Sequence, residues 1–104
     1  MAKTVRNTQI KRDRRLIIST LRMIYPGWMP GEELFRVVLD ASPEYGRSLL
    51  VKDANYLNEK GYLAYKGDSG IDVQSISAKH CLFRLSASGT EVADRLVDDP
   101  TLDV

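Results

Sequence analysis

The apolar residues of this chain change period at Gly61, and that change limits the folds open to it. Before Gly61 they recur at helical spacing; after it they alternate as in strands. Ile10, Ile17, Ile18, Leu21, Ile24 and Tyr25 form one stripe, which predicts a first helix capped by Asn7 or Thr8 and stopped by Pro26-Gly27. Pro30 followed by Glu32 and Glu33 suits the start of a short second helix. That helix presents Leu34, Phe35, Val38 and Leu39 and ends near Asp40-Ala41. Ser42-Pro43-Glu44 reads as the start of a third helix running to Lys60, with Leu50, Ala54 and Leu57 buried. Ser48, Lys52, Asn55 and Glu59 line its far side, and Gly61 stands where a left-handed cap is wanted.

Tyr62 to Lys66 and Cys81 to Leu85 read as two strands, with Leu82 and Arg84 on one face of the second and Cys81, Phe83 and Leu85 on the other. Gly67-Asp68-Ser69-Gly70 is a turn, its glycines supplying positive φ. Ile71 to His80 either extends the hairpin or forms a long loop, and Ile71, Val73 and Ile76 hint at some strand. Ser86 caps a last helix whose Val92, Ala93 and Leu96 face the core and which Asp99-Pro100 ends. The prediction is an α+β fold, mostly helical. Residues 1–9 form a basic arm, 10–97 the folded domain, and 98–104 an acidic, flexible tail.

A chain of 104 residues, 43% hydrophobic and 28% charged, has room for one core and can bury it without staples. One cysteine and one histidine allow neither a disulfide nor a structural zinc site. No apolar run reaches membrane-spanning length, and no apolar segment follows the basic start, so a cytoplasmic location and no membrane partner are predicted. The net charge of +1 conceals a gradient. Residues 1–22 carry seven basic side chains against Asp13, and residues 90–104 carry five acidic ones against Arg95.

Leu57-Asn58-Glu59-Lys60-Gly61-Tyr62-Leu63 is similar to the passage from recognition helix into wing in the winged helix-turn-helix superfamily of bacterial and phage DNA-binding proteins. Phe83-Arg84-Leu85-Ser86-Ala87-Ser88-Gly89 resembles that superfamily's exit from the wing into the next helix. Size and composition are also similar to those of winged-helix proteins of Mu-like prophages. The resemblance spans residues 10–97. It implies a three-helix core, a β-hairpin wing and a C-terminal helix, and a small transcriptional regulator that binds double-stranded DNA as a homodimer.

By position, the resemblance nominates Arg47, Ser48, Lys52 and Asn55 for the major groove, with Tyr45 and Tyr56 on sugar or backbone. Lys66, Ser69 and Lys79 are its wing candidates. Arg12 and Arg15, within Lys11-Arg12-Asp13-Arg14-Arg15, are candidate phosphate contacts. The same cations could instead neutralise the acidic C-terminal segment of this chain or of a twofold mate. A neutral third helix also permits the same fold to act as a protein-interaction module, for example in phage packaging or morphogenesis.

Catalysis is not expected. Gly67-Asp68-Ser69-Gly70 imitates a protease nucleophile loop, but His80, the one histidine, lies in the same hairpin of a chain too short for that fold, and as neighbours on a strand His80 and Cys81 point to opposite faces. Cys81 is predicted to be a packed thiol and Trp28 a plug at the core's rim. Neither a metal nor a cofactor is implied, and no effector is identified.

Overall fold

The computed structural model describes the backbone from Ala2 to Leu102 and the side chains from Thr8 to Leu102. Among these residues are four helices and one three-stranded antiparallel sheet, an α+β arrangement that is about half helical. The helices are α1 (Ala2–Ile24), α2 (Gly31–Ala41), α3 (Arg47–Glu59) and α4 (Ala87–Ala93). The strands are β1 (Met29–Pro30), β2 (Leu63–Lys66) and β3 (Leu82–Leu85), with β3 in the centre. Phe83 stands opposite Met29 on one side and Tyr65 on the other.

The predicted alternation on β3 is observed. Cys81, Phe83 and Leu85 are buried while Leu82 and Arg84 are partly exposed on the opposite face. The core joins them to Ile17, Ile18 and Leu21 of α1, Leu34, Phe35 and Val38 of α2, and Leu50, Ala54 and Leu57 of α3. Gly61 ends α3 region with φ +83°, the left-handed conformation expected there. Ser86 caps α4 by accepting from the Gly89 N–H at 3.1 Å. Gly89 itself lies so close to the Tyr62 carbonyl that a Cβ would collide with it.

Five expectations are corrected. Helix α1 starts at Ala2 and runs through Asn7 and Thr8, so neither caps it, and the backbone of the expected arm from residue 2 onward is helical. The side chains of Lys3 and Arg6 lie outside the described residues. The Ser42-Pro43-Glu44 signal makes a turn instead of opening α3. The Ser42 N–H donates to Val38 O, closing α2, and Gly46 is the cap residue of α3. Helical geometry explains the choice, since a helix starting at Pro43 would carry Tyr45 about 140° away from Leu50, toward solvent. The turn instead lets Tyr45 drop into the core, 5% exposed, beside Phe35.

Residues 67–81 form an irregular loop, one of the two alternatives expected, and neither Gly67 nor Gly70 takes the positive φ expected of the turn. Ile76 anchors it in the core, and Asp72 and Ser75 tie its first turn through reciprocal backbone bonds. Helix α4 ends at Ala93 because Arg95 takes φ +58° and turns the chain, leaving Leu96 75% exposed instead of facing the core.

The C-terminal segment is docked where a flexible tail was expected. Asp99 accepts from the Tyr62 hydroxyl at 2.6 Å, from Thr101 N and Oγ1, and pairs with Lys60 at 3.1 Å, while Leu102 is fully buried. Asp103 and Val104 lie outside the described residues.

Candidate interaction face

Of the nominated residues, Arg47, Ser48, Lys52 and Asn55 lie on α3, Lys66, Ser69 and Lys79 on the β2–β3 hairpin, and Arg12 and Arg15 on α1. Leu50, Asp53, Ala54 and Leu57 face inward, which leaves Ser48, Lys52 and Glu59 exposed on the opposite side. Two of the four nominated groove residues, exposed Arg47 and half-buried Asn55, are bonded to groups of the same chain.

Arg47 forms an ion pair with Glu32 at 2.5 Å, donates from Nε to Ser77 Oγ at 3.1 Å, and stacks over the Phe35 ring at 4.4 Å. Glu32 in turn accepts from Ser77 at 2.6 Å. These two bonds, with Ser77 first, hold the Glu32 carboxyl below its ordinary range. Asn55 is half-buried and its Nδ2 donates to Val51 O at 3.0 Å and Ile71 O at 3.1 Å. An Asn pairs with adenine through that same amide, which here serves the hairpin loop. The loop is thus fastened to α3 at two places, Ser77 on Arg47 and Ile71 on Asn55.

The other cations divide in the same way. Arg15 is half-buried and donates to Val92 O at 2.9 Å, against α4 and away from α3. Arg14 reaches Thr101 O at 3.4 Å and lies 3.7 Å over the Tyr56 ring, so Tyr56 holds an arginine of its own chain. Arg22 pairs with Asp94 at 3.0 Å. Arg22 of the first helix therefore neutralises Asp94 of the same chain, while Arg14 and Arg15 bind backbone carbonyls of its C-terminal part.

Arg12 is exposed, but it lies two residues from Arg14. Two residues on an α-helix are about 200° apart, so Arg12 points away from α3. On the hairpin, Lys66 and Arg84 share the Trp28 ring at 5.8 and 4.9 Å, and Trp28 is 36% exposed. Lys79 and Ser69 are exposed. Tyr45, expected to lean on a DNA backbone, is buried and donates to Asp53 Oδ2 at 2.7 Å.

The exposed charges on α3, the turn before it and the hairpin are Arg47, Lys52, Lys60, Lys66 and Lys79 against Glu44, Glu59, Asp68 and Asp72, with Arg47 paired to Glu32 and Lys60 to Asp99. Among them stand exposed Leu49 and Val73. Cys81 is packed as predicted, and its burial pushes the thiol up, away from reactivity. Among the described residues no helix is long and apolar enough to cross a membrane.

Sequence reasoning missed the polar cluster beneath α3. Asp53 is 7% exposed and Asp13 5%. Burial pushes Asp53 up to about 6, outweighing the Tyr45 bond and the Arg14 charge. Burial likewise raises Asp13 despite bonds from Ser42 and Gln9. The signal for Asp53 was present, since an acid falls in the buried stripe between Leu50 and Leu57.

Comparison with protein-family models, with curated proteins and with solved structures finds no match to this chain.

Proposed function

We propose that the chain is a winged helix-turn-helix protein of bacterial or phage type that uses α3 and its wing as a protein-interaction surface. One observation carries this reading: Arg47 and Asn55, the two nominated side chains best suited to reading bases, are held by Glu32, Ser77 and Ile71 of the same chain. The exposed face mixes apolar Leu49 and Val73 with charges of both signs, which suits a protein partner better than a phosphate backbone. Packaging or morphogenesis is the process such a module would serve in a phage.

A second reading, a small DNA-binding transcriptional regulator, is favoured by the exposure of Ser48 and Lys52 on the half of α3 that enters the groove in this superfamily. In that reading Lys52, Lys66, Lys79 and Arg12 contact phosphates and direct base readout is minor. A homodimer would then be needed for useful affinity.

Titration of a random duplex at about 50 and about 200 mM salt separates the two. The interaction reading predicts no binding at the lower salt. Binding that falls steeply with salt and weakens for Lys52→Ala would overturn it in favour of the regulator.

A further inference from the structure

Between the N-terminal half of α1 and the first turns of α3 lies a cleft of about 750 Å³, within the range that encloses a small organic ligand. Ile10, Leu49, Tyr45 and Tyr56 make its walls apolar and aromatic. At its base are the carboxylates of Asp13 and Asp53, both more than nine-tenths buried. Glu44 and Lys52 also line it, but both are exposed and balance each other at the rim.

Inside, among the described residues, two acids face one cation, Arg14. Its Nε is 3.7 Å from Asp53 Oδ1, beyond hydrogen-bond length, and makes no hydrogen bond to any group. Its guanidinium is instead stacked on Tyr56. Asp53 keeps the Tyr45 hydroxyl and Asp13 keeps Ser42 Oγ at 3.0 Å. Neither bond supplies a positive charge. Counted over the described residues, the base of the cleft therefore carries one negative charge in excess whenever both acids ionise.

We propose that this cleft binds an amphiphilic organic cation, an apolar or aromatic body bearing one amine, with the ammonium group against Asp13 and Asp53 and the body against Leu49 and Tyr56. The apolar and aromatic walls suit the body of such a ligand by apolar contact. Four lining residues, Leu49, Lys52, Asp53 and Tyr56, belong to α3, so an occupied cleft clamps α3 to α1. The proposal stands independently of whether α3 meets protein or DNA.

A cation is attracted to the ionised acids only, so its binding competes with protons. The groups facing Asp53 are Asp13 and Arg14 from α1, Glu44 and Tyr45 from the turn, and Lys52 and Tyr56 from α3. Among them, Asp13 and Asp53 are the acids that burial raises.

The test is an NMR titration of the 15N-labelled chain with 4-phenylbutylamine, 4-phenylbutanol and 4-phenylbutyrate. The amine should shift amides of residues 9–14 and 49–56 and bind at least about tenfold more tightly than the alcohol or the acid. Its affinity should fall about tenfold from pH 7.5 to pH 5 as Asp53 takes up a proton. Asp53→Asn should erase the preference for the amine over the alcohol. Should that variant not fold, the amine-to-alcohol ratio on the native chain decides. An alcohol that binds as tightly as the amine, or an amine that leaves the cleft amides unmoved, overturns the proposal.

Discussion

Asp53 shows how one residue can set the pH response of a fold. Its carboxyl is buried against Tyr45 and beside Arg14, and burial raises it to about 6. An acid raised in the folded state stabilises that state fully below its unfolded value near 3.9, and the benefit is lost as pH climbs through the folded value. Stability measured by urea unfolding should therefore decline from pH 4 to pH 6.5, by about 2 to 3 kcal/mol from this residue. Asp53→Asn should remove most of that slope; an unchanged slope would contradict the assignment. Asp99 acts in the opposite direction. Burial raises it, but bonds from Thr101, Tyr62 and Lys60 prevail and hold it below the usual carboxylate range. Its contribution is present above that range and fades as pH falls through it, so the native state should be weakened at the acid extreme by Asp99 and above pH 4 by Asp53.

Among elements, the two ends of the β2–β3 unit were legible in the sequence because each depends on local chemistry. Gly61 takes positive φ, Ser86 caps α4, and Gly89 touches the Tyr62 carbonyl. Gly89→Ala forces a methyl against backbone, and chemical unfolding should report a loss of about 1 to 3 kcal/mol. A neutral effect would mean that α4 can move away from the strand without loss. The start of α3 was not legible, because Ser42-Pro43-Glu44 satisfies a local cap rule equally well as a turn. The long-range demand to bury Tyr45 against Asp53 decided between them, and sequence spacing carries no information on that contact. Leu96 went astray for a related reason, since a left-handed Arg95 has no composition signal. The roles of Arg47 and Asn55 were legible as residue types but their partners were not, because Ser77 and Ile71 come from a loop whose path the sequence left open.

At the scale of the molecule, the basic head and acidic tail of the chain meet each other. Arg14 reaches the Thr101 carbonyl, Arg15 the Val92 carbonyl, and Arg22 pairs with Asp94, so the two ends of the gradient visible in sequence lie against each other in space. The last described turn closes the body, with Leu102 fully buried and Asp99 fixed to Tyr62 and Lys60. Leu102→Ala should cost about 2 to 5 kcal/mol, read as a lower urea midpoint; a midpoint within error of the native one would show that this segment is not part of the core. The central claim is that α3 gives its base-reading groups to its own hairpin loop. It is tested most directly by NMR of the Asn55 side-chain amide and the Arg47 Nε–H, in the free protein and with duplex DNA added. Held by Ile71 and by Glu32 with Ser77, both should exchange slowly with solvent and keep their shifts when duplex is present. Fast exchange in the free protein, or a shift of either signal on adding duplex, would contradict the account.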